Sequence, residues 1–306
     1  MSDLFHDKIC LLYKKQLNVL NKIIILIEEP NNTQKYWVGG MYKLKIKKVP
    51  YNNKEKLSLF FSNKNLVELK KDNIFMKSSG RECITAYIKQ YKNTICFNIY
   101  NTPDLLFKEF DPIKIETHDE KQLNLELNDY PKSNIKYQSN HPDIITINKN
   151  GKIKSLRPGR AIISASGLDN KTTTIKVLSS PKNGLINKNA LNKYNANQYN
   201  NLMIVSHPDD ETLWGGANLV KDRYFVVCLT NGYNIQRATD FREILKFTNN
   251  SGIILNYPDM LDKIPDDWSE FRFGIIKDLS RIINYKNWNK IVTHGPEGTT
   301  GNINHK

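Results

Sequence analysis

The hexapeptide Ser206-His207-Pro208-Asp209-Asp210-Glu211 places one imidazole and three carboxylates directly after a short apolar run, Leu202 to Val205. An imidazole and a carboxylate three residues apart across a tight turn can reach one divalent ion, and a neighbouring carboxylate that does not ligate is left to act as a base. A second segment with matching chemistry lies near the C-terminus, where Ile291-Val292-Thr293-His294 runs into a glycine-rich loop ending in Asn302-Ile303-Asn304-His305. An isolated His-Pro-Asp is ordinarily a solvated turn. Here each cluster follows a strand-like apolar run, and several strand ends of a parallel sheet converge on one crevice. His294, a lone histidine at a strand end, reads equally as a structural residue or as part of the pocket lining.

Positioning these residues requires an alternating α/β segment. From residue 201 the pattern runs strand (202–205), helix (about 212–220), strand (224–229), helix (about 238–250), strand (253–256), helix (about 269–284) and strand (291–293). Such alternation predicts a parallel sheet. Pro208 ends the first strand, and Gly215 and Gly216 allow the following helix to approach the sheet.

Together these motifs resemble the PIG-L or LmbE-like N-acetylglucosaminyl de-N-acetylase family. The resemblance rests on Ser206-His207-Pro208-Asp209-Asp210-Glu211, on Thr230-Asn231-Gly232 closing the second strand, and on the Thr293-His294 to His305 loop. It implies a Rossmann-like domain over 201–306 with one Zn²⁺ per chain held by His207, Asp210 and His305. Asp209 would be the general base, and Asn231, Arg242 and Asp259 would contact substrate. Asn302 would occupy the place of a family histidine that stabilises the oxyanion or assists the leaving amine. Asparagine can donate a hydrogen bond there but cannot transfer a proton. The activity implied is hydrolysis of the N-acetyl group of an N-acetylglucosamine-type sugar in a glycolipid, glycan or small conjugate. Family members continue beyond the position of Lys306, so the resemblance further implies either a C-terminally incomplete domain or pocket walls supplied from elsewhere. The alternative is a non-catalytic glycan- or protein-binding structural protein with a degenerate deacetylase-like domain.

The preceding sequence is of another kind. From about 22 to 178 short alternating strands are separated by turn residues, with no sustained helical period. A repeat of about 78 residues is visible. Ser62-Asn63 returns as Ser139-Asn140, Gly80-Arg81 as Gly159-Arg160, and Cys83-Ile84-Thr85-Ala86 as Ile162-Ile163-Ser164-Ala165. The second copy resembles the group 2 bacterial immunoglobulin-like domain, and the first matches it more loosely, with Asn73 where the second has the turn glycine Gly151. The predicted architecture is therefore multidomain. It comprises an amphipathic N-terminal helix over 1–21, immunoglobulin-like β-sandwiches over 22–101 and 102–178, an asparagine-rich linker over 179–200, and the α/β domain. The sandwiches carry no constellation of chemistry-bearing residues, so they read as spacers or as binding surfaces for a glycan or protein. His141-Pro142-Asp143 echoes the metal motif without its following Asp-Glu and reads as a solvated loop.

Composition narrows the remaining classes. The 306 residues carry a formal charge of +14, but the lysines are scattered. No basic-aromatic groove marks a specific nucleic-acid site, and non-specific attraction to polyanions is the most that the charge supports. The four cysteines, at 10, 83, 96 and 228, have no metal-finger spacing. Reduced thiols are the default expectation, with a cross-strand Cys83–Cys96 disulfide left open. The apolar run Ile23 to Ile27 is too short to span a membrane, and no secretory signal is evident. The expectation is a soluble protein, cytoplasmic by default.

Overall fold

The computed structural model describes residues 24–49, 55–127, 132–298 and 300–306. The helix expected over 1–21 lies outside them. The chain divides into two compact units. One contains residues up to 105 with 127–135 and 166–172, and the other contains 106–126, 136–165 and 173–306.

Both repeat copies fold as two-sheet sandwiches, and their strand pairings correspond element by element. In the first copy, strands Tyr36–Trp37, Tyr91–Tyr100, Gly80–Ile88 and Ser58–Phe61 form one sheet in that order, and Met41–Lys43, Asn73–Met76 and Val67–Lys70 form the other. In the second copy, the orders are Ile113–Glu116, Thr172–Ser180, Gly159–Ser166, Lys136–Ser139 and then Glu120–Gln122, Lys152–Ser155, Ile145–Ile147. In each four-stranded sheet the first strand, Tyr36–Trp37 or Ile113–Glu116, runs parallel to the copy's last one. Alternating inward residues fill the two cores: Val67, Ile74, Met76, Ile84, Phe97 and Ile99 in the first, and Leu123, Ile145, Ile153, Ile163, Ile175 and Val177 in the second.

The repeated glycines have a steric cause. Gly80 and Gly159 have φ of +150° and +148°, and a Cβ there would lie 3.0 Å from Leu66 Cδ1 and 2.9 Å from Ile144 Cδ1, respectively. Only glycine adopts this backbone without strain, and its missing side chain admits the partner's apolar one. The turn chemistry of the first copy differs from expectation. The positive φ that Gly151 supplies in the second copy (+80°) falls on Lys71 (+55°) in the first, while Asn73 is already in its strand. The default of reduced thiols is also corrected. Cys83 and Cys96 sit directly opposite each other on the central hairpin and are joined by a disulfide, while Cys228 is free and buried.

The C-terminal segment forms a four-stranded parallel sheet in the order Ser251–Tyr257, Tyr224–Thr230, Asn201–Val205, Lys290–Val292. Helices Ile235–Phe247 and Arg272–Ile283 make two of the crossovers, and the first is made by two short helices, Asp210–Leu213 and Gly216–Lys221. The expectation of a Rossmann-like domain is corrected by this topology. A Rossmann sheet needs two βαβαβ halves, whereas only the three-residue strand Lys290–Val292 lies beyond the point where strand order reverses. Among the described residues, twenty-four strands stand against five α-helices, so the chain as a whole is mainly β. Local alternation fixes the sense of the sheet, but it does not fix the number of strands.

The linker is also corrected. Residues 179–200 include a helix, Lys188–Lys193, capped by Asn187, and Ile186, Leu191, Ala196 and Tyr199 are buried with Leu202, Ile204 and Phe225 in one core. Asp278, fully buried, accepts the backbone N–H groups of Leu185 and Ile186 and the Tyr257 hydroxyl, pinning the segment to the helix beneath it. The asparagines dominate the composition, but four well-spaced apolar residues determine the packing. Among the described residues, no helix is long and apolar enough to cross a membrane.

Candidate functional site

The site lies where strand order reverses, at the C-terminal ends of Asn201–Val205 and its neighbours. Ser206 leaves the first strand with its hydroxyl donated to the Asn304 carbonyl, and its N–H is donated to His294 Nε2 (3.3 Å). The next four residues turn sharply. Asp210 Oδ2 accepts the His207 N–H at 2.8 Å, which folds the turn back so that the imidazole and the carboxylate face each other. Asp209 has φ +147°, a region L-residues avoid. Strain of this kind is held in place by the surrounding structure and clusters at functional sites. Gly215 touches Met203 and the Glu211 carbonyl so closely that a Cβ would be 2.6 Å from Met203 Cε, as expected of a close helix approach; Gly216 faces open space and has no such role.

His207 Nδ1, Asp210 Oδ2 and His305 Nε2 form a triangle with sides of 3.1 Å (His207 to His305), 3.3 Å (His207 to Asp210) and 3.3 Å (His305 to Asp210). All three residues are buried. Tetrahedral zinc with ligands at roughly 2.0–2.1 Å separates its donors by about 3.3 Å, so the triangle has the dimensions of one face of such a site. The other ring nitrogen of His207, Nε2, is buried without a well-formed hydrogen bond and lies 3.3 Å from Asp259 Oδ1. A carboxylate behind a histidine fixes its ring and tautomer when the opposite nitrogen ligates a metal. Asp259 is itself held by Asn231, whose Nδ2 donates to Oδ2 at 2.9 Å. His294 stacks flat on His305, ring centroids 4.0 Å apart, with Nε2 3.4 Å from Asp210 Oδ2.

Electrostatics follow from this crowding. Burial opposes charge on His207, but the Asp210 and Asp259 carboxylates beside its two ring nitrogens outweigh it and push the imidazole up to about 9. Burial likewise opposes charge on Asp210, yet contacts with His207 and His294 hold it well below the usual carboxylate range. Asp259 is lowered for the same reason, through His207 and Asn231. Glu211 is pushed up by burial; its carboxylate accepts the Asp209 N–H and the Thr212 hydroxyl.

Of the expected residues, His207, Asp210, His305, Asp209, Asn231 and Asp259 are brought together. Arg242 is not: it lies exposed on helix Ile235–Phe247, away from the cluster. Arg237, which the sequence reading missed, occupies the place expected of it. Its Nη2 donates to the Pro208 carbonyl at 2.8 Å and to Asp209 Oδ2 at 3.1 Å, and Nη1 lies 3.7 Å from Asp259 Oδ2. Asn302 has a structural task instead of an oxyanion contact. Its Oδ1 accepts the Asn304 N–H and caps the short 3₁₀ turn Ile303–His305 that carries the ligand histidine. His141-Pro142-Asp143 forms a largely exposed turn, as expected, with His141 3.3 Å from Asp262 and Asp143 paired with Arg157. Flanking the site, a cleft of about 550 Å³ is lined by Ser206, Trp268, Arg272, His294 and His305 among others.

Comparison with known proteins corrects the family expectation. No protein-family profile matches the chain, so membership of the PIG-L/LmbE-like deacetylases is not supported. A curated relative, the uncharacterized protein L374 of Acanthamoeba polyphaga mimivirus, is 25% identical over 122 residues, covering 34% of this chain and 52% of its own length. The chain thus spans about half the length of that relative. Solved structures with some similarity are β-domain proteins. Domains 4 and 5 of the S-layer protein SbsC are 10% identical, with TM-score 0.25 over 52% of this chain and 97% of that one. A C-terminal fragment of intimin in complex with the intimin-binding domain of its translocated receptor is 13% identical, with TM-score 0.25 over 52% and 64%. Invasin, a bacterial integrin-binding protein, is 10% identical, with TM-score 0.24 over 51% and 38%.

Proposed function

We propose that this chain is a β-sandwich binding protein whose C-terminal part holds one divalent cation, zinc by donor type, at His207, Asp210 and His305, and uses it to hydrolyse an amide on a bound ligand. The observation that carries the proposal is the buried donor triangle of 3.1, 3.3 and 3.3 Å with Asp259 behind His207. Zinc at this place would supply Lewis acidity, polarising an amide carbonyl and making water more acidic. The chain's own residues would do the rest. Asp209, its side chain 55% exposed and steered by Arg237, takes a proton from the attacking water and returns it to the departing nitrogen. The C–N bond breaks, leaving a carboxylic acid and an amine. Asn231, Asp259 and Arg237 surround the position with donors and acceptors that suit the hydroxyls of a sugar, which makes N-acetylated amino sugars the first substrate class to screen for acetate release.

The second reading is binding without turnover, of a glycan or protein partner. What favours it is that position 302 holds an asparagine whose Oδ1 caps the turn; a carboxamide can donate a hydrogen bond but cannot transfer a proton to the leaving nitrogen.

Elemental analysis of the purified full chain tests the metal first. About one zinc per chain is expected, lost in His207→Ala and His305→Ala; well-folded wild type without metal would overturn the site. Asp209→Ala should keep its zinc and lose acetate release. Zinc bound without acetate release from any N-acetylated sugar would leave the binding reading in possession.

A further inference from the structure

The second sandwich does more than stand beside this site. Two arginines three residues apart, Arg157 and Arg160, reach from its Arg157-Pro158-Gly159-Arg160 turn to the two loops that flank the metal ligands. Arg160 Nη1 pairs with Asp266, and its Nε donates to Glu270 Oε2 at 2.6 Å. Asp266 is a junction. Its side chain is 1% exposed, its N–H donates to the Asp259 carbonyl at 2.8 Å, its Oδ1 accepts the Trp268 N–H, and its carbonyl accepts Asn304 Nδ2 at 2.8 Å. Asn304 in turn accepts the Ser206 hydroxyl and immediately precedes His305. Three bonded links therefore connect a sandwich arginine to both a metal ligand and the carboxylate behind another. Arg157 stacks on Tyr233, 3.8 Å from its ring centroid, two residues beyond Asn231, which holds Asp259.

The first repeat copy serves as an internal control. At the positions of Arg157 and Arg160 it carries Ser78 and Arg81, and Arg81 is exposed. The fold of the sandwich thus requires neither interaction. A buried carboxylate deprived of its counter-charge is costly, and the loop carrying Asp266 would have to rearrange to hydrate it.

We propose that Arg160 is a positioning residue for the metal site, acting through Asp266 and Asn304 on His305 and through the Asp259 backbone on His207, so that the second sandwich is a working part of the site. This rests on reading His207, Asp210 and His305 as metal ligands. The test compares full-length wild type with Arg160→Gln, Arg160→Lys and Arg81→Gln. Zinc affinity is measured by chelator competition, the visible spectrum is recorded with Co²⁺ in place of zinc, and amide exchange over 258–268 and 303–305 is followed in metal-free protein. Loss of a partner bonded directly to a ligand typically weakens a site about 10–100-fold. Arg160 stands further out, so Arg160→Gln should lose up to about tenfold in zinc affinity, alter the cobalt spectrum, and exchange faster at 303–305. Arg160→Lys, which retains a charge against Asp266, should recover most of the affinity and keeps the test alive should Arg160→Gln not fold. Arg81→Gln should match wild type. Unchanged affinity, spectrum and exchange in Arg160→Gln would overturn the proposal. If wild type binds no metal, the ligand reading fails and the metal-site role of Arg160 with it; metal bound by wild type, with all three readouts unchanged in Arg160→Gln, defeats the positioning role alone.

Discussion

The two sandwiches share one topology and differ in what they keep inside and what they extend outward. In the first copy, the position before the disulfide cysteine is Glu82, fully buried; in the second it is Ala161. The Glu82 carboxylate accepts the N–H and hydroxyl of Ser62, at 2.7 and 2.9 Å, and also takes the Asn63 N–H, closing the strand end with a polar cluster. The second copy closes the equivalent turn with Asn140, whose Oδ1 accepts the Ile162 N–H at 2.6 Å. The first copy thus spends its distinctive residues, Glu82 and the Cys83–Cys96 bridge, on its own hairpin. The second has neither and directs Arg157 and Arg160 to the α/β part. One plan thus secures its own hairpin in one copy and serves as a supporting wall in the other.

The comparison is broken most forcefully at the shared glycine. Gly80→Ala and Gly159→Ala each force a side chain into φ near +150° and against Leu66 or Ile144, at a cost of about 3 kcal/mol. Both should lower stability, measured by denaturant unfolding, but only Gly159→Ala, next to Arg160, should also weaken zinc binding. Equal effects on zinc from the two variants would mean that the copies are not functionally distinct. Next in size is the disulfide, which closes a loop over a sequence separation of 13. Cys83→Ser with Cys96→Ser should cost about 2–3 kcal/mol in the first sandwich and leave metal content unchanged. Glu82→Ala, which introduces the residue type natural to the second copy, should cost about 1–2 kcal/mol because the Asn63 N–H and the Ser62 hydroxyl lose their acceptor. Adding Ser62→Ala in the same protein should cost less than the two single effects summed, since both changes act on one cluster.

How far the sequence revealed these things depended on distance along the chain. His207 and Asp210 were legible because a strand, a proline turn and a helix start place them together within four residues. Asp259 and Asn231 were legible because strand ends of a parallel sheet converge. The repeat was legible because identical anchors recur, and the glycine in those anchors has a steric cause. Arg237 was hidden because an arginine in a helix announces nothing about its direction. Arg242, chosen instead, lies five residues on, which at 100° per residue turns it about 140° away from Arg237. Arg160 is separated from Asp266 by 106 residues, and no local pattern spans that gap; only the contrast with Arg81 marks it. The segment 179–200 misled through composition, since Ile186, Leu191, Ala196 and Tyr199 are few among asparagines yet face one core.

The finest distinction, between the α/β part and the first sandwich, is the response to pH. In metal-free protein, His207 is held protonated by Asp210 and Asp259, with its pKa raised from about 6.5 to about 9. A group whose folded pKa is raised binds its proton more tightly when folded, so its contribution is complete below about pH 6.5, declines as pH rises through about 9, and is absent above. Amide exchange, corrected for its intrinsic pH dependence, should therefore show the strands Asn201–Val205 and Tyr224–Thr230 losing protection between pH 6.5 and 9, while Ile84 and Ile99 in the first sandwich core stay level. His207→Asn should abolish the slope. Zinc should invert it, because a ligating nitrogen must be free of its proton, so that zinc affinity climbs over the same interval in which the metal-free site weakens. A loaded protein that lost protection in step with the metal-free one would show that proton and zinc do not compete for His207.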